Sequence, residues 1–572
     1  MDRRNILCCI ALFLLAAAAV NPVLEMGIND DWAYTHMARD FAATGRFVYN
    51  GWPSMILIPQ IVWAAGFIKL FGFSFLVVRL STVVLGVFLV PVLYNIGRES
   101  GLAPEFATFA TLLTMLSPLV MLEAVSFMTD VPALFLLALC FYGGIKSCKA
   151  ASTKTCVIWA GLITLAGLLS GLDRQIDWLA PLLFLPVVAW VQRRKRDAVV
   201  WLGVAWLAVI AAVVYSLLWF QAQPYTQTGH TLDAWKHTPL YLVTRGRILA
   251  SQMALTTALV LFPLLAGYLG PGFKAVRRNI AVVVFVGALA AAFAISSRPY
   301  YRVPCLGNVM TEYGLGQPAL GRGQVMLGPG IRELLTTLVF LSCAGCGLAL
   351  WKHREAAGVR LWRDPVAPAL GLGLVFAAAS FLAELYYSVN TTLYDRYLIP
   401  LLPLAGIPLL RYLQVHVNGR VSRWSWALLA LFALYGMGAT HDLFAASRAG
   451  LVAAQTLEHA GIPRTGIMAG LAYDGWTQLE AAGYVNDPRI ENPPGAYRHV
   501  ACAGPEISYR PMMTAIRARY FVTLSRLPEM ADVSAPPLGY TAWLPPGRRQ
   551  VLTQEVPGGG YAGCMDDPSS HP

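Results

Sequence analysis

Three aspartates stand at the edges of apolar segments in a chain that is otherwise suited to lipid. Asp30 and Asp31 are adjacent and follow the first apolar segment, and Asp130 begins the fourth. Carboxylates at the rim of a membrane bundle are costly unless they are solvated or paired, so such residues are candidates for function. Their placement predicts an enzyme that works on one face of a membrane.

Each of these aspartates also has a purely local interpretation. Asn29 or Asp30 could cap the N-terminus of a helix that begins near Trp32. Asp130 precedes Val131 and Pro132, and proline in a first helical turn is a common way to start a helix. Capping explains one carboxylate of the adjacent pair but not both. Three carboxylates from two segments, brought to one face, favour a functional site.

Arginines in two later segments could bind phosphate. Arg298 and Arg302 lie in a long loop, 297–330, and arginine suits phosphate because its planar fork donates two charged hydrogen bonds. An ordinary outer loop is the alternative. Arg396 follows Asp395 at the start of a late apolar segment, between two tyrosines. The pair could hold a lipid phosphate, or it could be a structural ion pair that caps a helix.

Composition places the chain among membrane proteins. Hydrophobic residues make up 57% of the chain, charged residues only 13%, and the mean hydropathy is +0.56. A soluble domain carries roughly 25% charged residues. The apolar segments lack the alternation of a β-barrel, so they predict membrane-spanning helices. The net charge of +12 resides mostly in short loops, so it does not indicate nucleic-acid binding.

The predicted fold is an all-α polytopic membrane protein with about 13 transmembrane helices in residues 1–441. We place these helices near residues 5–24, 74–97, 104–124, 131–147, 155–172, 177–192, 199–220, 248–270, 280–296, 331–351, 366–388, 395–412 and 424–441. Basic residues fall in every second turn, and short basic loops belong in the cytoplasm. The N-terminus is therefore expected inside and the C-terminus outside. Asp30, Asp31 and Asp130 are expected on the same outer face, where the loops 25–73 and 297–330 also lie. The apolar stretch 55–71 is interpreted as an interfacial helix.

Residues 442–572 are richer in proline, glycine and charge, and predict a small extracytoplasmic α/β domain. A helix fits 445–460 with Gly461 as its C-cap, and short strands fit 465–471 and 519–524. Of the ten cysteines, Cys502 and Cys564 lie in this domain, where a disulfide between them is possible, although the sequence alone does not fix it.

Five motifs occur in a recognisable order along the membrane part. They are Asp30-Asp31-Trp32-Ala33-Tyr34, Leu70-Phe71-Gly72-Phe73, Arg79, Thr129-Asp130-Val131-Pro132 and Asp395-Arg396-Tyr397-Leu398-Ile399-Pro400. This order resembles the GT-C glycosyltransferases, in the branch of the protein O-mannosyltransferases and lipid A aminoarabinose transferases, which is glycosyltransferase family 39-like. The resemblance covers residues 5–440.

The resemblance implies a mechanism and its participants. The donor is a sugar on a polyprenyl phosphate, the acceptor is a hydroxyl of a lipid, glycan or protein, and the sugar is transferred with inversion at the outer face of a bacterial inner membrane. Asp30 is the implied general base. Asp31 and Asp130 would orient it, bind the acceptor or hold a divalent metal ion. Arg298, Arg302 and Arg396 are the candidates for binding the donor phosphate.

The sequence departs from this branch in two places. The acidic pair is Asp-Asp rather than the frequent Asp-Glu, and Trp52 precedes Pro53 where the aminoarabinose transferases carry a lysine. The aminoarabinose donor and the lipid A acceptor are therefore not implied. A transporter or flippase of lipid-linked sugars is the alternative function, although it would more often show internal repeats and broken helices.

Overall fold

The computed structural model describes residues 2–227, 238–274, 287–288, 301–316, 320–352, 366–388, 392–417, 419–533 and 537–566. Helices dominate the membrane part. Those before the long outer loop are α1 (Asp2–Val20), α2 (Asp31–Thr44), α3 (Ile58–Phe71), α4 (Phe75–Glu99), α5 (Pro104–Met115), α6 (Pro118–Ala124), α7 (Asp130–Cys148), α8 (Thr153–Asp173), α9 (Leu179–Val191), α10 (Arg196–Ala222), α11 (Pro239–Val260), α12 (Phe262–Leu265) and α13 (Leu269–Lys274). Those after it are α14 (Pro329–Lys352), α15 (Ala367–Ser388), α16 (Leu401–Tyr412), α17 (Arg423–His459) and α18 (Leu471–Ala482).

The chain is an integral membrane protein. Within the described ranges, eight helices are long and apolar enough to cross a membrane, or up to ten if each of two bent helix pairs is one span. The predicted spans 177–192 and 395–412 correspond to shorter apolar helices, Gln175–Val191 and Leu401–Val417. The predicted span 280–296 falls almost entirely outside the described residues. The number 13 therefore stays a prediction.

The predicted span 104–124 is broken. Helices α5 and α6 meet at an angle of 64°. Pro118 lies at the start of α6 and lacks the N–H that would continue the hydrogen bonding of α5. After the bend, α6 packs against α7, the helix that begins with Asp130.

The last membrane helix continues into the C-terminal part of the protein. Helix α17 runs without interruption for 37 residues, so the separate helix predicted for 445–460 is wrong at its start. No proline interrupts the chain between the span and Ala445, and helical hydrogen bonding continues at no cost. The predicted end is close: α17 ends at His459, and Gly461 adopts φ 88°, which glycine tolerates without strain.

Beyond α17 the chain forms helix α18 and a set of short strands. They are β3 (Ile467–Met468), β4 (Val500–Cys502), β5 (Arg517–Ala518), β6 (Tyr520–Thr523), β7 (Ala531–Asp532), β8 (Leu538–Trp543), β9 (Pro546–Glu555) and β10 (Ala562–Asp566). The first two strands, β1 (Met310–Thr311) and β2 (Gly314–Leu315), lie earlier in the chain and form a hairpin in the loop 297–330. Strands β3 and β6 pair in parallel, and β6, β7 and β8 each pair antiparallel with β9.

The predicted strand regions are thus occupied, although 465–471 holds only a two-residue strand. Strands β4 and β10 are antiparallel with Cys502 opposite Cys564, and the two residues form a disulfide.

The part of the chain after α17, which we call the outer domain after the side predicted for it, packs on helix α2, which carries the acidic pair at its start. Arg39 of α2 donates to Glu480 of α18 at 2.7 Å and lies over the Trp476 ring at 4.9 Å. A side chain at Gly475 would come within 2.6 Å of the Trp32 ring, so α18 approaches α2 closely only because this residue is glycine. One buried apolar cluster joins α2, α3 and the outer domain. The position of the acidic pair therefore depends on both parts of the protein.

Candidate active site

The second aspartate of the pair is a buried hydrogen-bond acceptor. Asp31 Oδ1 accepts from the Ile28 backbone N–H, and Oδ2 accepts from the Phe127 backbone N–H at 3.2 Å. The Arg79 Nε lies 3.7 Å from Oδ2. Asp31 therefore ties the start of α2 to the turn before α7 and to α4. Burial raises the pKa of this carboxyl to about 6, although Arg79 opposes the shift.

Arg79 also closes the turn before the acidic pair. Its guanidinium donates to the carbonyl oxygens of Leu24 and Met26, and the side chain is fully buried in α4. An arginine this deep needs partners, and these carbonyls with Asp31 supply them. The motif residue Arg79 is thus a structural link between α4 and the first outer loop.

The first aspartate of the pair turns toward a distant arginine. Asp30 stands at the N-cap position of α2, yet its side chain makes no capping hydrogen bond. Instead its Oδ2 accepts from Arg396 Nη2 at 2.9 Å. The Asp30 side chain is 14% exposed, against 1% for Asp31, so Asp30 is the one that a substrate can reach.

Asp130 lies between two arginines. It begins α7, its side chain is fully buried, and Oδ1 accepts from Arg174 Nη1. Its other oxygen lies 3.9 Å from Arg396 Nη1. Arg396 therefore bridges Asp30 and Asp130, which are 100 residues apart in sequence. Asp30 and Asp130 thus belong to one ion-pair network.

Arg396 is held in place by its own motif. Asp395 does not pair with the Arg396 guanidinium; its carboxylate accepts from the backbone N–H groups of Val309, Met310 and Arg396 at 3.0, 2.6 and 2.9 Å. The Arg396 Cζ lies 5.6 Å and 5.8 Å from the ring centroids of Tyr394 and Tyr397. The motif therefore anchors the outer loop through Asp395 and aims Arg396 at the acidic pair.

The two other predicted arginines differ in their placement. Arg302 Nη2 forms an ion pair with Glu333 of α14 at 2.8 Å, and the structure shows it there rather than in the Asp30–Arg396–Asp130 network. Arg298 lies outside the described residues.

Sequence reasoning missed several charged residues of this region. Arg174, between α8 and α9, contacts Asp130 and lies 4.7 Å from the Tyr397 ring centroid. Glu123 of α6 is fully buried, and among the described residues neither of its carboxylate oxygens has a hydrogen-bond partner. Ionisable residues inside apolar segments are functional candidates by default, and that signal was present for both.

Metal binding finds little support in this arrangement. In the described part of the chain, no group of three or more His, Cys, Asp or Glu side chains could hold a metal ion. Asp31 and Asp130, the two carboxylates considered for such a site, face backbone N–H groups and arginines instead. Cationic partners already balance the charge that a metal ion would neutralise.

An apolar groove of about 360 Å³ lies among the membrane helices α11, α15 and α16. Alanines and large aliphatic residues line most of it: Ala254, Thr257, Ala258, Leu261, Leu265, Ala377, Ala378, Phe381, Leu401 and Ala405. Phe381 and Leu401 also line a smaller cavity with Asp177, Glu384 and Tyr397. The Tyr397 ring centroid lies 4.7 Å from the Arg174 Cζ and 5.8 Å from the Arg396 Cζ, so this smaller cavity borders the charged network.

No protein-family model matches the chain, and no curated protein sequence matches it. Among solved structures it is similar to ArnT from Cupriavidus metallidurans in the apo state, at 14% identity and a TM-score of 0.37 over 96% of this chain and 97% of that one. The same protein bound to undecaprenyl phosphate gives 15% identity and a TM-score of 0.36 over 97% and 98%. The Archaeoglobus fulgidus oligosaccharyltransferase in the apo form gives 13% and 0.38 over 79% and 58%.

Both are GT-C fold glycosyltransferases, the class that the sequence motifs resemble. At these identities, what those proteins bind does not carry over to this chain.

Proposed function

We propose that this protein is an inverting glycosyltransferase that moves a sugar from a polyprenyl-phosphate donor to a hydroxyl acceptor at the outer face of the membrane. The observation that carries this proposal is Asp30, a partly exposed carboxylate that is held by a hydrogen bond from the buried Arg396. An exposed carboxylate that is fixed in direction can accept a proton from a hydroxyl.

In the proposed reaction, Asp30 takes the proton of the acceptor hydroxyl while that oxygen bonds to the anomeric carbon of the sugar. The bond between this carbon and the phosphate oxygen breaks from the opposite side, so the configuration inverts. Polyprenyl phosphate leaves with the bonding electron pair. It needs charge stabilisation rather than a proton, and Arg396 is the nearest buried cation that could supply it.

Asp31 and Asp130 act as positioning residues in this proposal. Asp31 fixes the start of α2 through the Ile28 and Phe127 N–H groups. Asp130 holds Arg174 and Arg396 together, so it sets the direction of the guanidinium that contacts Asp30. Neither carboxylate is exposed enough to reach an acceptor, and both serve the geometry of the base.

The apolar groove supports a lipid-linked donor. A polyprenyl tail needs an apolar surface among the membrane helices, and the alanine-lined groove provides one; two of its residues, Phe381 and Leu401, also line the smaller cavity that contains Tyr397. The sugar and its phosphate would then lie near Arg396 and Asp30. We place this site on the outer face of a bacterial inner membrane, because short basic loops alternate with the loops that carry Asp30 and Asp130.

A transfer assay on membranes tests the proposal. Vesicles that contain the protein are incubated with a polyprenyl-phosphate sugar that is radiolabelled in the sugar. The label is then followed from the donor into a product in which the sugar is no longer bound to phosphate. A glycosyltransferase converts the donor with the Asp30 carboxylate intact and not with asparagine there. Movement of unaltered donor across the bilayer, without conversion, would instead identify a transporter or flippase.

The side of the membrane is tested separately. A single cysteine introduced by Arg46→Cys, at an exposed position in the first predicted outer loop, should react with a membrane-impermeant maleimide that is added to the outer face of intact cells. Labelling from the cytoplasm alone would contradict both the orientation and the site.

A further inference from the structure

A segment of the outer domain lies against the first outer loop, close to the candidate active site. The Val485 N–H donates to the Asn50 carbonyl at 3.0 Å. Gln227 Nε2 donates both to the Gly51 carbonyl at 3.0 Å and to Asp487 Oδ2 at 3.1 Å. The residues after Val485 are thus fixed to the membrane domain at two points.

Arg489 in this segment is oriented by a fully buried carboxylate. Asp487 Oδ1 accepts from the Arg489 backbone N–H and from Nε, both at 2.8 Å, and Oδ2 accepts from Nη2 at 2.6 Å. These bonds use one edge of the guanidinium. The other end of the guanidinium carries the N–H groups of Nη1 and the second N–H of Nη2. Two N–H groups at one end can donate two hydrogen bonds to the same oxyanion.

The segment that carries Arg489 is linked to the acidic pair through the first outer loop. Asn50, whose carbonyl accepts from the Val485 N–H, donates through its side-chain amide to the Ala33 carbonyl of α2 at 2.9 Å. Ala33 lies three residues after Asp30, the carboxylate that pairs with Arg396. The Arg489 segment is therefore joined to the start of the helix that carries the acidic pair.

The two arginines differ in how accessible they are. The Arg396 side chain is 4% exposed and already has two carboxylates near it, whereas the Arg489 side chain is 40% exposed. A group with several anionic oxygens that reaches Asp30 from outside can contact Arg489 without displacing a buried ion pair. A phosphate bonded to the reacting sugar carbon is such a group.

We propose that Arg489 is a donor-binding residue: its free end contacts the phosphate of the lipid-linked donor, so the outer domain completes the active site. This inference rests on the proposed function, since it assumes a polyprenyl-phosphate donor. Arg396 holds Asp30 in position and stabilises the leaving phosphate from the membrane domain, and Arg489 contacts the same phosphate from the outer domain. Asp487 is a positioning residue because it acts only through Arg489.

Binding of undecaprenyl phosphate to the purified full-length protein tests this inference, with the uncharged polyprenol of the same length as reference. Arg489→Ala should lower the affinity for undecaprenyl phosphate about ten- to a hundredfold, the effect of losing a charged hydrogen bond, and leave polyprenol binding unchanged. Arg489→Lys should recover part of the loss, because it keeps the charge but not the fork. If Arg489→Ala folds poorly, the double variant Asp487→Asn with Arg489→Gln replaces it, because it leaves no unpaired buried charge. The double variant should show the same ten- to hundredfold loss of affinity for undecaprenyl phosphate.

Arg526→Ala is the matched control. Arg526 forms an ion pair with Asp532 at 2.5 Å in the same domain, and its side chain is 77% exposed. Its removal should not change the affinity. Folded Arg489 variants that bind undecaprenyl phosphate as the wild type does would overturn this inference alone. A wild-type protein that does not prefer undecaprenyl phosphate to polyprenol would instead contradict the proposed donor.

Discussion

Replacing Asp30 by asparagine separates a catalytic role from a structural one. The asparagine oxygen can still accept a hydrogen bond from Arg396, but the negative charge and the proton-accepting capacity are lost. A charged hydrogen bond contributes about 1.5–3 kcal/mol and a neutral one about 0.5–1.5 kcal/mol. The partly exposed Asp30–Arg396 contact should therefore cost about 1–2 kcal/mol of stability at most when it becomes neutral.

The expected loss of activity is larger than this loss of stability. General-base catalysis contributes about 10²–10⁴-fold to a rate. That range corresponds to about 2.7–5.4 kcal/mol of transition-state stabilisation. The variant should therefore insert in the membrane at normal amounts and melt close to the wild type, while the transfer rate falls at least a hundredfold.

The assay compares initial rates of sugar transfer from a radiolabelled polyprenyl-phosphate donor at equal amounts of membrane protein. Asp40→Asn is the matched control: Asp40 lies on the same helix, its side chain is 41% exposed, and it pairs with Arg39 at 3.1 Å. That variant should transfer at the wild-type rate. An Asp30→Asn protein within about threefold of wild type, a difference below 1 kcal/mol, would remove Asp30 from the role of base.

Four further predictions concern the rest of the site and the outer domain. Asp130→Asn should lower the transfer rate, and it should lower the free energy of unfolding by about 3–5 kcal/mol, because two buried arginines lose the carboxylate that they share. An unchanged melting temperature would refute the ion-pair network. Arg396→Ala should abolish transfer while Arg396→Lys keeps part of it; equal rates in both would show that the fork is unimportant. The raised pKa of Asp31, about 6 against 3.8, means that the folded state keeps a proton that the unfolded state releases. Stability should therefore fall as pH rises from about 4 to 6, and a melting series in detergent should show a shallower slope for Asp31→Asn. Cys564→Ser should make the Cys502 thiol reactive to maleimide. It should also destabilise the outer domain by up to about 4 kcal/mol, because the disulfide joins residues that are 62 positions apart. Maleimide labelling of both cysteines in the wild type would contradict the disulfide.

The sequence alone determined the class of protein and its most informative residues. Long apolar runs must form helices in lipid because their backbone has no other partner, so most helix positions followed from composition. Asp30, Asp31 and Asp130 were visible for the same reason, since charge is rare beside such runs. Cys502 and Cys564 were a possible pair from their shared location, and their register in β4 and β10 made the bond.

Local patterns failed where a distant partner decided the outcome. Asp30 has a capping position but no capping bond, because Arg396 lies within reach in the folded chain. Asp395 was a plausible partner of Arg396, yet it holds the backbone of the outer loop instead. The break between α5 and α6 is different, because Pro118 is a local signal that the predicted span 104–124 did not take into account.

Only the tertiary structure could assemble the site. Arg396 meets Asp30 across 366 residues, and Arg174 meets Asp130 across 44. Contacts at such separations leave no periodicity in the sequence, because they depend on how several helices pack together. Arg489 is the clearest case: nothing in its own segment marks it as functional, and its role follows from the buried Asp487 that orients it and from the outer loop it lies against. Electrostatic interactions act through space, so the sequence supplied the charges and the fold chose their partners.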